Sequence, residues 1–259
     1  MDYNKIIDLY KEGYSGIKIA EILNLKSRTV YRLIKKSGIT RSNSINSRKY
    51  YVDHNFFETI DTEEKAYWLG FLMADGSVSE KTNKISLALH TSDKGHIEKF
   101  LKDLKSNYKI KDYLNNFNSP YSRVIISSSK IKEDLIRLGC VPNKSGVLKF
   151  PVLNNDLKSH FIRGYFDGDG SISISGKQFK FRVCGTYEFL KEILINIGFK
   201  NKLLKRWPLR NNNNYDIDIG GNIQVLSICN YLYENSTLFL DRKFERYKLL
   251  RSLYQETDK

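Results

Sequence analysis

Two aspartates, Asp75 and Asp169, each close an apolar segment, precede a glycine, and stand 94 positions apart (169 − 75). The segments are Trp68-Leu69-Gly70-Phe71-Leu72-Met73-Ala74-Asp75-Gly76 and Ile162-Arg163-Gly164-Tyr165-Phe166-Asp167-Gly168-Asp169-Gly170, followed by Ser77 and Ser171. Gly70 with Ala74, and Gly164 with Gly168, lie four apart and share a helix face, where small residues let two helices approach closely. Each acid comes one residue later, at a helix C-terminus where the macrodipole is negative. Two carboxylates held together there repel one another and face exposed carbonyls. A divalent cation relieves that conflict, and oxygen ligands suit magnesium. Asp75 and Asp169, with Ala74 and Gly168 beside them, are the candidate metal site, and Gly76 and Gly170 allow the turn into a strand.

The elements that must position this pair repeat in the same order. Residues 63–74 read as a helix, followed by strands at 77–79, 85–90, 108–111 and 123–127, with helices at 94–104 and 130–138. The second half gives a helix at 156–168, a hairpin of 171–174 with 179–184, and a helix at 187–197. Strands at 201–206 and 215–219 and helices at 222–233 and 241–254 complete it. Residues 62–153 and 154–259 are therefore two halves of α-β-β-α-β-β-α order, an internal duplication in an α+β protein.

The first forty residues differ. Three short apolar stripes, a break at Gly13 and a stop at Gly38 give a small all-α domain, 1–40, joined by a polar linker, 41–61. It resembles the helix-turn-helix of site-specific recombinases, with Ala20 at the helix crossing, Asn24-Leu25-Lys26 as the turn and 27–36 as the recognition helix. Ser27, Arg28, Thr29, Tyr31 and Arg32 lie off its apolar stripe, free to reach a major groove. Lys and Arg total 43 against 29 Asp and Glu, a net +14, spread along the chain, which points to a polyanion such as double-stranded DNA. Cys140, Cys184 and Cys229 are widely spaced and make no metal-ligand pair, so they are expected to be reduced thiols. No apolar run is long enough to span a membrane and no signal peptide opens the chain, so a non-secreted protein is expected, in the cytoplasm of a bacterial or phage-infected cell or in an organelle.

Both acid-tipped segments resemble the LAGLIDADG motif of homing endonucleases, and two motifs in one chain resemble the monomeric form of that family over roughly residues 55–255. The resemblance implies two four-stranded antiparallel sheets forming a saddle on DNA around a pseudo-twofold axis. It implies Asp75 and Asp169 as the metal-binding catalytic acids, with Mg2+, or Mn2+ or Ca2+ in its place, and a double-strand break in a long target. It also implies a basic residue near each metal site: Lys144 and Lys243 are favoured, with Lys149 as a competitor to Lys144. The expected setting is a monomer encoded by an intron or a free-standing mobile element, with no small-molecule substrate. A non-cleaving transcriptional regulator of LAGLIDADG-like fold, or an intron RNA maturase, is the alternative. A protein-splicing setting is not expected, because the ends lack the Cys/Ser and His-Asn of that chemistry.

Two positions depart from the motif. Met73 stands where the second copy has Asp167, off the paired face, so Asp167 is expected to be structural; Arg163 stands where a small residue is common and is expected to point outward. Polar alternates on the strands give the expected DNA surface. They are Ser77, Ser79, Lys84, Ser86, His90, Lys109, Lys111, Arg123 and Ser127 in the first half. In the second they are Ser171, Ser173, Lys177, Lys180, Arg182, Lys202, Lys205, Arg206 and Arg210.

Overall fold

The computed structural model describes residues 3–39, 50–144, 146–199, 203–205 and 213–255. They fall into two compact units, Met1–His54 with Leu101–Lys109, and Asn55–Phe100 with Ile110–Lys259. In the first unit, α1 (Tyr3–Lys11), α2 (Gly16–Ile22) and α3 (Ser27–Lys36) enclose a small core of Ile6, Tyr10, Tyr14, Ile19, Ala20, Val30 and Ile34. Ser15 caps α2 by accepting from the Lys18 amide, and Asn24 takes the left-handed conformation (φ 51°) that turns the chain into α3. Gly16 packs closely under Tyr31: a β-carbon there would stand 2.6 Å from the ring, which would have to swing aside.

The second unit holds both repeats apart from residues 101–109. The first comprises α4 (Glu63–Ala74), β1 (Gly76–Val78), β2 (Lys84–His90), α5 (Lys94–Asp103), β3 (Lys111–Leu114), β4 (Pro120–Ser127) and α6 (Ser129–Arg137). The second comprises α7 (Asn155–Asp169), β5 (Gly170–Ser175), β6 (Gln178–Gly185), α8 (Tyr187–Asn196), β7 (Leu203–Lys205), β8 (Tyr215–Gly220) and α9 (Asn222–Tyr233), then α10 (Asp241–Gln255). Each repeat builds a four-stranded antiparallel sheet, ordered β1-β2-β4-β3 and β5-β6-β8-β7. This is the α+β architecture expected from the duplication.

Helix α4 is apolar on every side, and Ala66 through Met73 are all buried. A helix of that kind needs neighbours all round, and α7 supplies the closest. A β-carbon on Gly70 would fall 2.1 Å from the Phe161 carbonyl oxygen and 2.8 Å from the Tyr165 nitrogen. On Gly164 it would fall 2.0 Å from the Tyr67 carbonyl oxygen and 3.0 Å from the Phe71 nitrogen. Gly70 and Gly164, Tyr67 and Phe161, and Phe71 and Tyr165 are each 94 apart, so the contacts are reciprocal, as a twofold axis demands.

Two expectations are corrected here. Arg163 does not point outward: it is 1% exposed, donating to the Leu238 and Leu232 carbonyls (2.8 Å each) and to Glu63 (2.6 Å). The guanidinium satisfies the Leu232 carbonyl in the last turn of α9 and the Leu238 carbonyl in the irregular chain after it, a need that periodicity does not record. The strand expected at 108–111 begins only at Lys111, because the preceding segment is tied elsewhere. The Tyr51 amide donates to the Asn107 side chain, the Asn107 amide to the Tyr51 carbonyl, and the Tyr108 amide to Ser106. Lys109 is consequently an exposed loop residue and not part of the sheet.

Asp167 is structural, as expected from its place off the paired face. Its fully buried carboxylate accepts from Tyr67 (2.7 Å), Tyr233 (2.6 Å) and the Leu240 amide (2.8 Å), joining both repeats to the loop before α10. Replacing it with Ala strands the buried Tyr233 hydroxyl and the Leu240 amide and leaves the Tyr67 hydroxyl with His96 (2.9 Å), and we expect a loss of about 3 kcal/mol in denaturant unfolding. Its counterpart Met73 packs against the α6 C-terminus instead, with its Cε 3.5 Å from where a Gly139 β-carbon would lie. Cys140 and Cys229 are buried, their thiols pushed up to about 11 and 12 by loss of water, while Cys184 is half-buried on β6.

Candidate active site

Helices α4 and α7 end side by side, and that ending sets the geometry. Ala74 and Gly168 meet across the axis: a β-carbon on Gly168 would lie 2.3 Å from that of Ala74 and 3.4 Å from an Asp75 carboxylate oxygen. A glycine at 168 is thus what lets the second helix end against Asp75. Asp75 and Asp169 both keep a face to solvent. Loss of water on the other sides, together with the like charge of Asp169, raises the Asp75 carboxyl to about 6. The site therefore holds two acids that resist being charged together.

The raised value has a consequence for stability. A carboxyl whose folded pKa exceeds its unfolded one stabilises the fold only while protonated, and the contribution is lost as pH rises toward about 6. At pH 7 the metal-free protein carries that penalty. Asp75→Asn should raise its melting temperature by about 3 °C, and scanning calorimetry should show the gain shrinking below pH 6, where the wild-type acid is already neutral.

Lysines approach the pair from two directions. The Lys144 ammonium donates to the Gly76 carbonyl, directly after Asp75. Lys243, 2% exposed, donates to the carbonyls of Phe166 (2.5 Å) and Asp167 (2.7 Å), with that of Gly168 at 3.5 Å. It thereby caps the α7 C-terminus, where the helix dipole favours a cation. Burial lowers its pKa to about 8 against the opposing pull of Asp167, and Asp75 and Asp169 also act on it. Lys149 is exposed; Lys144, not Lys149, lines a cavity of about 220 Å³ with Asp169, Tyr165, Thr186, Cys184 and Asn214.

The strands place the remaining candidates. The register sets Ser77 opposite Ser86, Ser86 opposite Ile125, Ala88 opposite Arg123, and Arg123 opposite Lys111, so these share the open face of the first sheet. Lys84, His90, Lys111, Ser77 and Ser127 are exposed there. Two residues depart from expectation. Ser86 is 8% exposed because the Arg123 guanidinium folds over it, donating to its hydroxyl at 3.1 Å. Ser79 lies past β1, and its hydroxyl accepts from the Thr82 amide and side chain to fix the β1–β2 turn.

On the second sheet Ser171, Ser173, Lys177, Lys180 and Arg182 are all exposed, with Ser171 opposite Arg182 and Ser173 opposite Lys180. Lys202, Arg206 and Arg210 lie outside the described residues, as does the side chain of Lys205 in β7. Sequence reasoning missed Asp218, which pairs with Arg182 at 2.5 Å on that face. The alternation Tyr215-Asp216-Ile217-Asp218-Ile219, with Ile217 inward, was signal enough to place both acids outward. In the first unit Ser27, Arg28, Tyr31 and Arg32 are exposed on α3 and Thr29 is half-buried; Arg28, Arg32, Lys35 and Lys36 are all exposed and give α3 a strongly basic side.

Among the described residues no helix is long and apolar enough to cross a membrane. Comparison with known proteins gives a match of residues 62–137 to the family described as LAGLIDADG-like domain. The replication factor C small subunit of Methanocaldococcus jannaschii is 28% identical over 167 residues, 62% of this chain. The chain spans only 9% of that relative's length. An uncharacterized protein of the same organism is 26% identical, over 66% of this chain and 82% of its own. Solved structures that resemble the fold include the homing endonuclease I-WcaI bound to its DNA recognition sequence (TM-score 0.49, 10% identity, 81% of this chain and 96% of that one). Another is full-length DUF199/WhiA from Thermatoga maritima (TM-score 0.48, 16% identity, 77% and 64%).

Proposed function

We propose that this chain, which carries a LAGLIDADG-like domain, is a site-specific DNA endonuclease that makes a divalent-metal-dependent double-strand break. One observation carries the reading: both motif helices keep their terminal acids, and they end so close together that Asp75 feels the charge of Asp169. A protein that only bound DNA would gain nothing from a second carboxylate that helps raise the Asp75 pKa to about 6 and repels phosphate.

The donor set fits magnesium. Two carboxylates and the Ala74 and Gly168 carbonyls are all hard oxygen, and among the described residues no cluster of three or more His, Cys, Asp or Glu competes with them. Magnesium keeps several waters and takes the rest of its shell from substrate phosphates, so a sparse protein site is what it uses. When bound, it supplies an activated water and stabilises the leaving oxygen. Lys144 and Lys243 place positive charge on either side of the acids, where it offsets charge building on phosphate. The basic open faces of both sheets would hold the backbone of double-stranded DNA, and α3 of the helical unit would extend the contact as a helix-turn-helix.

The test is cleavage of a randomised duplex pool with and without Mg2+, followed by sequencing of the cut ends. Cuts at one site that require the metal support the reading; binding without cutting would mark a DNA-binding regulator instead. Binding itself should be strongly electrostatic. In filter-binding or anisotropy titrations, log K should fall linearly with log salt at about −0.9 per phosphate neutralised, costing roughly 10³ in affinity between about 50 and 200 mM.

A further inference from the structure

We propose that Phe117, at the outer edge of the first sheet, is an aromatic wedge that enters between neighbouring base pairs of duplex DNA. The proposal rests on the DNA-binding reading above. Phe117 sits at the tip of the β3–β4 hairpin with 91% of its surface exposed, next to Leu114 at 65%. A single exposed apolar residue is ordinary on any surface, but the loop beneath this one is built to hold it. The Asn115 side-chain oxygen accepts from the amides of both Phe117 and Ser119 (2.9 Å each). The Asn115 amide donates to the Ser119 carbonyl and the Asn118 amide to the Asn115 carbonyl (3.0 Å each), with Asn118 in the left-handed region (φ 57°). A ring presented on a fixed backbone loses little entropy on contact, which is the condition for useful binding by one side chain.

The surroundings identify the occupant. The open face leading to the tip carries Lys84, Arg123 and Lys111, and ends in Tyr113 stacked on Tyr121 (centroids 5.4 Å apart, planes at 22°). The acid of β3, Asp112, faces the other way, held by the buried Ser122 hydroxyl (2.7 Å) and the Lys94 ammonium (2.8 Å). Cationic groups that track phosphates beside an exposed apolar ring that can part a base step are a combination that suits duplex DNA. One ring and one leucine are too small an area to hold a protein partner.

The test uses the full chain and a mixed-sequence duplex of about 40 bp, without divalent metal. Phe117→Ala should weaken binding about tenfold with an unchanged melting temperature, since the side chain packs on nothing. Phe117→Trp should bind as the wild type does. After subtraction of emission from Trp68 and Trp207, its indole should be quenched by DNA and shielded from acrylamide. Equal affinity for the Ala variant, or an indole still open to acrylamide at saturating DNA, overturns the proposal. Failure of the wild-type chain to bind the duplex at low salt overturns the DNA-binding reading itself.

Discussion

Asp75→Asn combined with Asp169→Asn is expected to abolish Mg2+-dependent cleavage, by at least about 10³ in rate, while leaving duplex binding as tight or tighter. Removal of one preorganised electrostatic group commonly costs 10²–10³, and here both oxygen sets at the axis lose their charge. Binding is spared because the acids repel phosphate and the basic faces are untouched. The pH profile offers an independent check. Asp75 titrates near 6 in the metal-free protein and must be ionised to hold a cation, so activity should rise with pH at or below about 6, the limb moving lower as metal concentration increases. Lys243 titrates near 8, and loss of its positive charge should bring activity down above that value. A flat profile from pH 5 to 9, or undiminished cutting by the double variant, would sink the proposed mechanism.

Gly164→Leu should unfold the second unit or destabilise it by at least about 4 kcal/mol, among the largest losses a single substitution causes. Even a methyl group at this position lands 2.0 Å from the Tyr67 carbonyl oxygen. Backbone cannot rotate aside as a side chain can, so the two helices must separate, uncovering the apolar faces they share and pulling the acids apart. Gly70→Leu should behave alike, because its β-carbon meets the Phe161 carbonyl at 2.1 Å. Gly95 supplies the control. It lies exposed in α5 with nothing within 4 Å of a β-carbon, and Gly95→Ala should stabilise by about 0.5 kcal/mol. Urea unfolding followed by circular dichroism distinguishes the three. A Gly164→Leu protein as stable as wild type would mean that the helices do not cross where they are placed here.

Buried polar residues show where reading the chain in order stops working. Glu63 looks like an ordinary acidic residue in a helix first turn, yet it accepts from the Thr237 and Leu238 amides and from Arg163. Those bonds, and the low pKa they help give Glu63 despite its burial, join the start of the first motif helix to the end of the second repeat. Residues 63 and 163 are 100 apart, as are Tyr67 and Asp167. Nothing in the local pattern ties them.

The sequence by itself determined the two repeats, their element order, the paired small residues and the two acids at the helix ends. Those features are local: helical period, strand alternation and Asp-Gly punctuation act over a few residues and survive any arrangement of the rest. Tertiary structure alone decided which lysine flanks Asp75, that Arg163 turns inward, that Ser86 lies beneath Arg123, and that Lys109 leaves the sheet. Each depends on which distant carbonyl, carboxylate or hydroxyl must be satisfied once water is excluded. The choice between Lys144 and Lys149 illustrates the reason. Both follow α6 and carry the same charge, and they differ only in that the chain brings Lys144 to the Gly76 carbonyl while it leaves Lys149 in solvent.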